Sequence, residues 1–242
     1  MSAEHFTLPR ALTCIRESGW IPGGIVDIGV GAGTAGLYSV WPGTPLCLIE
    51  PAPEAMVFMQ QVAAKYGNVH IFNYGASDRE GELAGRQQPG LLNVFFGRGQ
   101  AYEEKVFPVR TCDDMVAEAG LASPLLLKID TDSHERQVLA GAEATLARAE
   151  VCVIENNVFH PLRGMMSPAE IWRFLSDRGF AFLDIGDCSI AESGVLRAAD
   201  FVFARQDSPI FRSAMERSAK SAHKLAKRMR QYRKYAVNNP II

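Results

Sequence analysis

The strongest constraint on this chain is a series of short apolar runs, each too brief to be a self-sufficient helix and each ending in glycine or an ionisable residue. They are Gly24-Ile25-Val26-Asp27-Ile28, Leu46-Cys47-Leu48-Ile49, Val69 to Tyr74, Pro124-Leu125-Leu126-Leu127-Lys128-Ile129 and Val151-Cys152-Val153-Ile154. Apolar runs of this length without strict alternation read as strands covered on both faces. Between them the apolar spacing changes to 3.6, as helices require. A helix is expected from Leu8 to Ser18, another up to Trp41, and a third from Pro53 to Tyr66 with proline at its start and Gly67 past its end. Thr111 caps a helix to Ala119, and a further helix is expected from Ser133 to Ala149. Ser167-Pro168-Ala169-Glu170 is a capping box opening a helix that stops near Gly179. Two last strands, Phe180 to Ile185 and Asp200 to Ala204, complete a doubly wound α/β fold with a seven-stranded, mostly parallel sheet. In such sheets ligands lie beyond the carboxyl ends of the parallel strands.

Residues 79–110 break this rhythm, and their apolar runs Leu92 to Phe96 and Val106 to Val109 read as an inserted hairpin or lid. The 242 residues, 48% hydrophobic and 21% charged, suit one globular domain, expected over 1–206. The formal charge of −2 conceals an asymmetry. Residues 212–235 carry nine Lys or Arg against Glu216 alone, leaving sixteen basic residues against twenty-six acids elsewhere. The body is therefore a poor nucleic-acid binder, and 207–242 reads as a basic amphipathic helix. Docking on the domain and peripheral contact of 210–235 with anionic lipid both fit it. The five cysteines are odd in number and form no C-x-x-C pair, so free thiols are expected. With no 18-residue apolar run and no signal-peptide pattern, a soluble, cytoplasmic protein is expected.

Chemistry is expected at the strand ends. After the first run, Gly29, Gly31 and Gly33 let the backbone approach a ligand closely. Gly31-Ala32-Gly33-Thr34-Ala35-Gly36 also satisfies the dinucleotide fingerprint, a weak signal alone. Asp27 argues against a pyrophosphate, because it would place like charges side by side. The cationic sulfonium and ammonium of S-adenosylmethionine would instead be attracted to it. Glu50, closing the second strand, suits a ribose diol in either ligand, and Ala76 and Ser77 offer small groups beside an adenine. Asp130, His134, Glu155 and His160 gather after the fourth and fifth strands as candidate general bases, Asp130 first. Asp130, Glu155 and Asn156 also form a conceivable oxygen set for Mg²⁺, although no metal is expected.

Four stretches then carry a resemblance: Val26-Asp27-Ile28-Gly29-Val30-Gly31-Ala32-Gly33, Ile49-Glu50-Pro51-Ala52-Pro53, Thr111-Cys112-Asp113-Asp114-Met115, and Lys128-Ile129-Asp130 running to Glu135, Val138-Leu139 and Gly141. Over roughly residues 10–205 the sequence resembles the FkbM family of class I S-adenosylmethionine-dependent methyltransferases. The resemblance implies a Rossmann-like fold, S-adenosylmethionine as cofactor, and O-methylation of a sugar, polyketide or other small metabolite. It implies cofactor contacts from Asp27, the glycines, Glu50 and Pro51. The rival readings are a nicotinamide-dependent oxidoreductase using the glycine loop and a non-catalytic scaffold or membrane-surface module acting through the basic tail.

Overall fold

A computed structural model describes residues 6–87, 92, 94–96, 103–158 and 165–221. Seven strands form the main sheet: β1 (Gly24–Ile28), β2 (Leu46–Ile49), β3 (Val69–Phe72), β8 (Leu125–Ile129), β9 (Ala149–Asn157), β10 (Phe180–Ile190) and β11 (Leu196–Arg205). Their order is β3-β2-β1-β8-β9-β11-β10. The first five are parallel, and β11 runs antiparallel to both of its neighbours. This is the Rossmann-like arrangement expected, with the switch point at β1.

Alternation along the strands sorts side chains onto two faces. Val26, Ile28, Leu125, Leu127, Cys152 and Ile154 pack beneath α4 (Cys112–Ala119), α5 (Glu135–Ala140), α6 (Glu143–Arg148) and α7 (Pro168–Ser176). Ile25, Leu48, Leu126, Val151 and Val153 pack on the other face with α1 (Leu8–Arg16), α2 (Ala35–Tyr38) and α3 (Met56–Tyr66). Burial on both faces is why these strands read as continuous apolar runs. Thr7, Thr111 and Ser167 cap their helices through side-chain oxygens, and the capping box at Ser167 and Glu170 is formed.

Several boundaries differ from the sequence reading. The helix expected from Ser133 to Ala149 is two helices broken at Gly141. A Cβ there would lie 2.0 Å from the Ser77 carbonyl oxygen, so the backbone approaches the neighbouring strand too closely to continue undisturbed. The last two strands are longer than expected and carry register shifts between Phe182 and Asp184 and between Ile185 and Cys188. The insertion is a four-stranded sheet, not a simple hairpin: β4 (Gly75–Ser77), β7 (Glu103–Thr111), β5 (Gly81–Gln87) and β6 (Val94–Phe96), in that order. The two runs identified as hairpin partners, β6 and β7, both pair with β5 and not with each other. The sequence Gly-Glu-Leu-Ala-Gly-Arg-Gln of β5 lacks apolar alternation because Gly85 faces inward, where Phe107 fills the space a side chain would occupy.

Residues 209–221 are helical, with Ile210 buried in the core. Arg217 donates to the Cys14 carbonyl at 2.9 Å, tying this helix to α1. The rest of the basic segment, 222–242, lies outside the described residues. All five cysteines are unpaired. Among the described residues no helix is long and apolar enough to cross a membrane.

Candidate active site

The chain leaves β1 through a turn that only glycine can make. Gly29 has φ +79°, and a Cβ on it would lie 1.6 Å from the Asp130 carbonyl oxygen. The turn is anchored on both sides, since Gly29 N–H donates to Ile49 O at 2.9 Å and Asp130 N–H to Ile28 O at 2.9 Å. Glu50 fixes it further: Oε2 accepts from Gly31 N–H at 3.1 Å and Oε1 from Ala52 N–H at 3.0 Å. Burial pushes the Glu50 carboxyl up to about 7, opposed by those two backbone donors. Each carboxylate oxygen retains a lone pair after these bonds, so Glu50 can still receive a diol.

Asp27 does not stand where the sequence reading put it. Its side chain is fully buried beneath the glycine turn and is not part of the cavity wall. The Tyr38 hydroxyl donates to its Oδ2, and Lys128 Nζ lies 3.8 Å from its Oδ1. Asp27 and Lys128 meet because they are register partners on β1 and β8. Lys128, itself 3% exposed, also reaches Asp130 Oδ2 at 3.0 Å. The carboxylate assigned to ligand attraction is thus paired internally, and Lys128 and Tyr38, which the sequence reading left out, hold it. A lysine inside the run Leu125 to Ile129 was the available signal, since buried lysines occur with partners.

Beyond the strand ends lies a cavity of about 740 Å³, within the range of small-molecule sites. Gly29, Gly31, Gly33, Glu50, Pro51 and Ala76, all named from the sequence, line it, whereas Ser77 is fully buried. Asp130, His134 and Glu155 also reach it. Asp130 and Glu155 are hydrogen-bonded to each other. Asp130 is held below the usual carboxylate range by Lys128, against its own burial, while Glu155 is pushed well above it by the Asp130 carboxylate and by burial. Asp130 is thus the more acidic member of the pair, and Glu155 the one that more readily holds a proton.

His134 lines the cavity with its Nε2 3.1 Å from Ser77 Oγ and its ring tilted against Phe96, centroids 4.8 Å apart. Burial lowers its pKa to about 4, so it is neutral at pH 7. His160 lies outside the described residues. Asn156 is buried and does not line the cavity, which removes it from the oxygen set considered for Mg²⁺; its Nδ2 donates to Met166 O at 2.8 Å. Among the described residues no group of three or more His, Cys, Asp or Glu has metal-binding geometry. Two further carboxylates were missed. Asp200, opposite Glu155 in the β9–β11 register, and Asp187, in the irregular part of β10, both reach the cavity. Asp187 Oδ1 accepts from Leu8 N–H at 3.3 Å, bringing Thr7, Leu8 and Pro9 to the same wall.

Comparison with known proteins gives this site a family. Residues 39–182, more than half of the chain, match the methyltransferase FkbM domain. The chain belongs to the FkbM methyltransferase family. The matched stretch holds Glu50, Asp130 and Glu155 and begins just past the glycine turn. Among solved structures, methyltransferase FkbM from Methylobacillus flagellatus KT is 17% identical with a TM-score of 0.52, covering 82% of this chain and 49% of its own. This FkbM chain thus spans about half the length of that relative, and the likeness establishes the shared fold. Magnesium protoporphyrin IX methyltransferase (ChlM) from Synechocystis PCC 6803, solved with bound SAM, is 13% identical with a TM-score of 0.42, covering 82% of this chain and 80% of its own. No curated protein matches the sequence.

Proposed function

We propose that this protein transfers a methyl group from S-adenosylmethionine to a hydroxyl oxygen of a small molecule. The observation that carries the reading is Asp130: a carboxylate on the cavity wall at the end of β8, 3.0 Å from Lys128 on one side and bonded to Glu155 on the other, its backbone packed against the glycine turn. The wall residues fit the donor. The glycine turn leaves room for close backbone approach, Glu50 presents two carboxylate oxygens suited to a ribose diol, and Gly75 and Ala76 supply a small apolar face. When bound, S-adenosylmethionine supplies a methyl carbon whose bond to sulfur breaks with the electron pair left on sulfur, while the acceptor oxygen supplies the pair of the new C–O bond.

The residues of the chain align and deprotonate. Asp130 accepts a hydrogen bond from the acceptor hydroxyl, turns an oxygen lone pair into the cavity and takes the proton as the ether forms. A carboxylate of low pKa suffices, because an oxygen being alkylated becomes far more acidic than a carboxylic acid. Lys128 keeps Asp130 ionised, and the Glu155 hydrogen bond fixes its orientation. Leu92 and, from β6, Val94 and Phe96 line the apolar side of the same cavity.

The test is Asp130→Asn. Turnover in a screen of hydroxylated metabolites should fall about 10²-fold or more, the usual contribution of a general base, while S-adenosylhomocysteine affinity stays within a few-fold. Unchanged turnover removes Asp130 as the base, and collapsed affinity makes it a cofactor ligand instead. In thermal-shift titration, stabilisation by NADH and not by S-adenosylhomocysteine would overturn the donor assignment.

A further inference from the structure

We infer that the acceptor half of the cavity takes a hydroxyl compound carrying a protonated amine, such as an amino sugar or an amino alcohol. This rests on the methyl-transfer reading and narrows its substrate class. The sheet order divides the cavity. Glu50, after β2, marks the ribose side, and the glycine turn after β1 separates it from the remaining strands. Across that turn, β8, β9, β11 and β10 bring Asp130, Glu155, Asp200 and Asp187 to the wall, in that spatial order.

Among the described residues lining the cavity, Lys128 is the sole Lys or Arg, and two carboxylates already share it, at 3.0 Å from Asp130 and 3.8 Å from Asp27. Asp187 and Asp200 have neutral partners at close range: Leu8 N–H donates to Asp187 and Asp187 N–H to Asp200. Burial, with Asp130 and Asp187 nearby, pushes the Asp200 carboxyl up to about 6, against the attraction of Lys128. The half-cavity therefore carries excess negative charge in a partly dry setting, where a cation gains most and a phosphate or carboxylate is repelled. The wall is also suited to chemoselectivity. A protonated amine has no lone pair, so it anchors at Asp187 and Asp200 without being methylated while the hydroxyl faces Asp130.

The experiment uses the full chain loaded with S-adenosylhomocysteine, loading being verified by calorimetry. Three matched probes are titrated by saturation-transfer NMR: trans-4-aminocyclohexanol, its N-acetyl derivative and trans-4-hydroxycyclohexanecarboxylate. The amine should bind about tenfold tighter than the acetamide, and the carboxylate should not bind. Asp200→Asn, alone and with Asp187→Asn, should bring amine and acetamide to within a few-fold of each other; melting curves identify a variant that does not fold, and either variant serves. Equal binding of amine and acetamide, preference for the carboxylate, or no binding of the amine at millimolar concentration overturns the inference. Failure of S-adenosylhomocysteine to load would instead refute the methyl-transfer reading itself.

Discussion

Replacing Lys128 by Met tests the electrostatic centre of the site. The side chain is 4% exposed, its ammonium lies between Asp130 and Asp27, and methionine preserves most of its length. Removing one member of a buried ion pair costs about 3–5 kcal/mol. Asp130 keeps 32% of its side chain exposed, so water relieves part of its loss and the lower end applies. For a domain of this size about 3 kcal/mol lowers Tm by about 6–12 °C. The pH dependence carries a sign. In the native protein the lowered Asp130 contributes stability that is present above its unfolded pKa and lost only as pH falls through its folded value. The raised Lys128 contributes stability present below its unfolded pKa and lost as pH rises through its folded value. Between pH 5 and 8 neither titrates, and the native contribution is flat. In the variant Asp27, which burial already raises in the native protein, loses the opposing Lys128 and rises further, and Asp130 loses the charge that holds it down, so the folded state binds extra protons and gains stability as pH falls. Urea unfolding of both proteins across that range should show a deficit that is largest at pH 8 and shrinks toward pH 5. A deficit below about 1 kcal/mol at pH 8, or one that grows on acidification, refutes the reasoning, because a buried pair cannot be worth so little.

The remaining predictions use other parts of the site. Gly29→Ala places a methyl 1.6 Å from the Asp130 carbonyl in a left-handed backbone, so a loss of about 2–5 kcal/mol is expected in chemical denaturation, and a native-like midpoint would contradict the turn geometry. For Glu50 the folded pKa, raised to about 7, lies above the ordinary 4.5, so its contribution to stability falls as pH rises through that window. The melting temperature of ligand-free Glu50→Gln, relative to the native protein, should therefore improve from pH 5 to pH 8, while S-adenosylhomocysteine affinity drops at least tenfold; a pH-independent difference would remove the titration. A chain ending at residue 221 loses six of the nine basic residues of 212–235 and should be retained less on vesicles of anionic lipid. Equal retention would refute the lipid contact, leaving docking through Ile210 and Arg217 as the part of the segment with a described role.

Legibility followed sequence distance. Gly29, Glu50 and Asp130 were readable because each stands where a doubly buried apolar run ends, and the end of such a run marks the ligand-bearing edge of the sheet. The family resemblance rests on those same strand ends. The triad of Asp27, Tyr38 and Lys128 was not readable, because which strand lies beside β1 is a property of sheet order, and β8 is nearly a hundred residues away. Read along the chain, Asp27 looked free; across the sheet it faces Lys128. Asp187 was hidden for a related reason, since it reaches the cavity through a register irregularity in β10 that no alternation pattern announces. The break at Gly141 depends on the neighbouring Ser77 carbonyl, and β5 on the ring of Phe107 standing where its own side chains would be. Tertiary neighbours decided each of these, as local propensity alone does not.

The bond from Leu8 to Asp187 joins residues 179 apart in sequence. During synthesis from the amino terminus, the ribosome delivers one side of this bond long before the other. The segment Thr7-Leu8-Pro9 must wait, unpartnered, until the final hairpin emerges and β11 inserts against β9. A partly made chain can bury much of its parallel sheet while this cavity still stands open, and the wall built from Asp187 and Asp200 closes only once β10 and β11 have emerged.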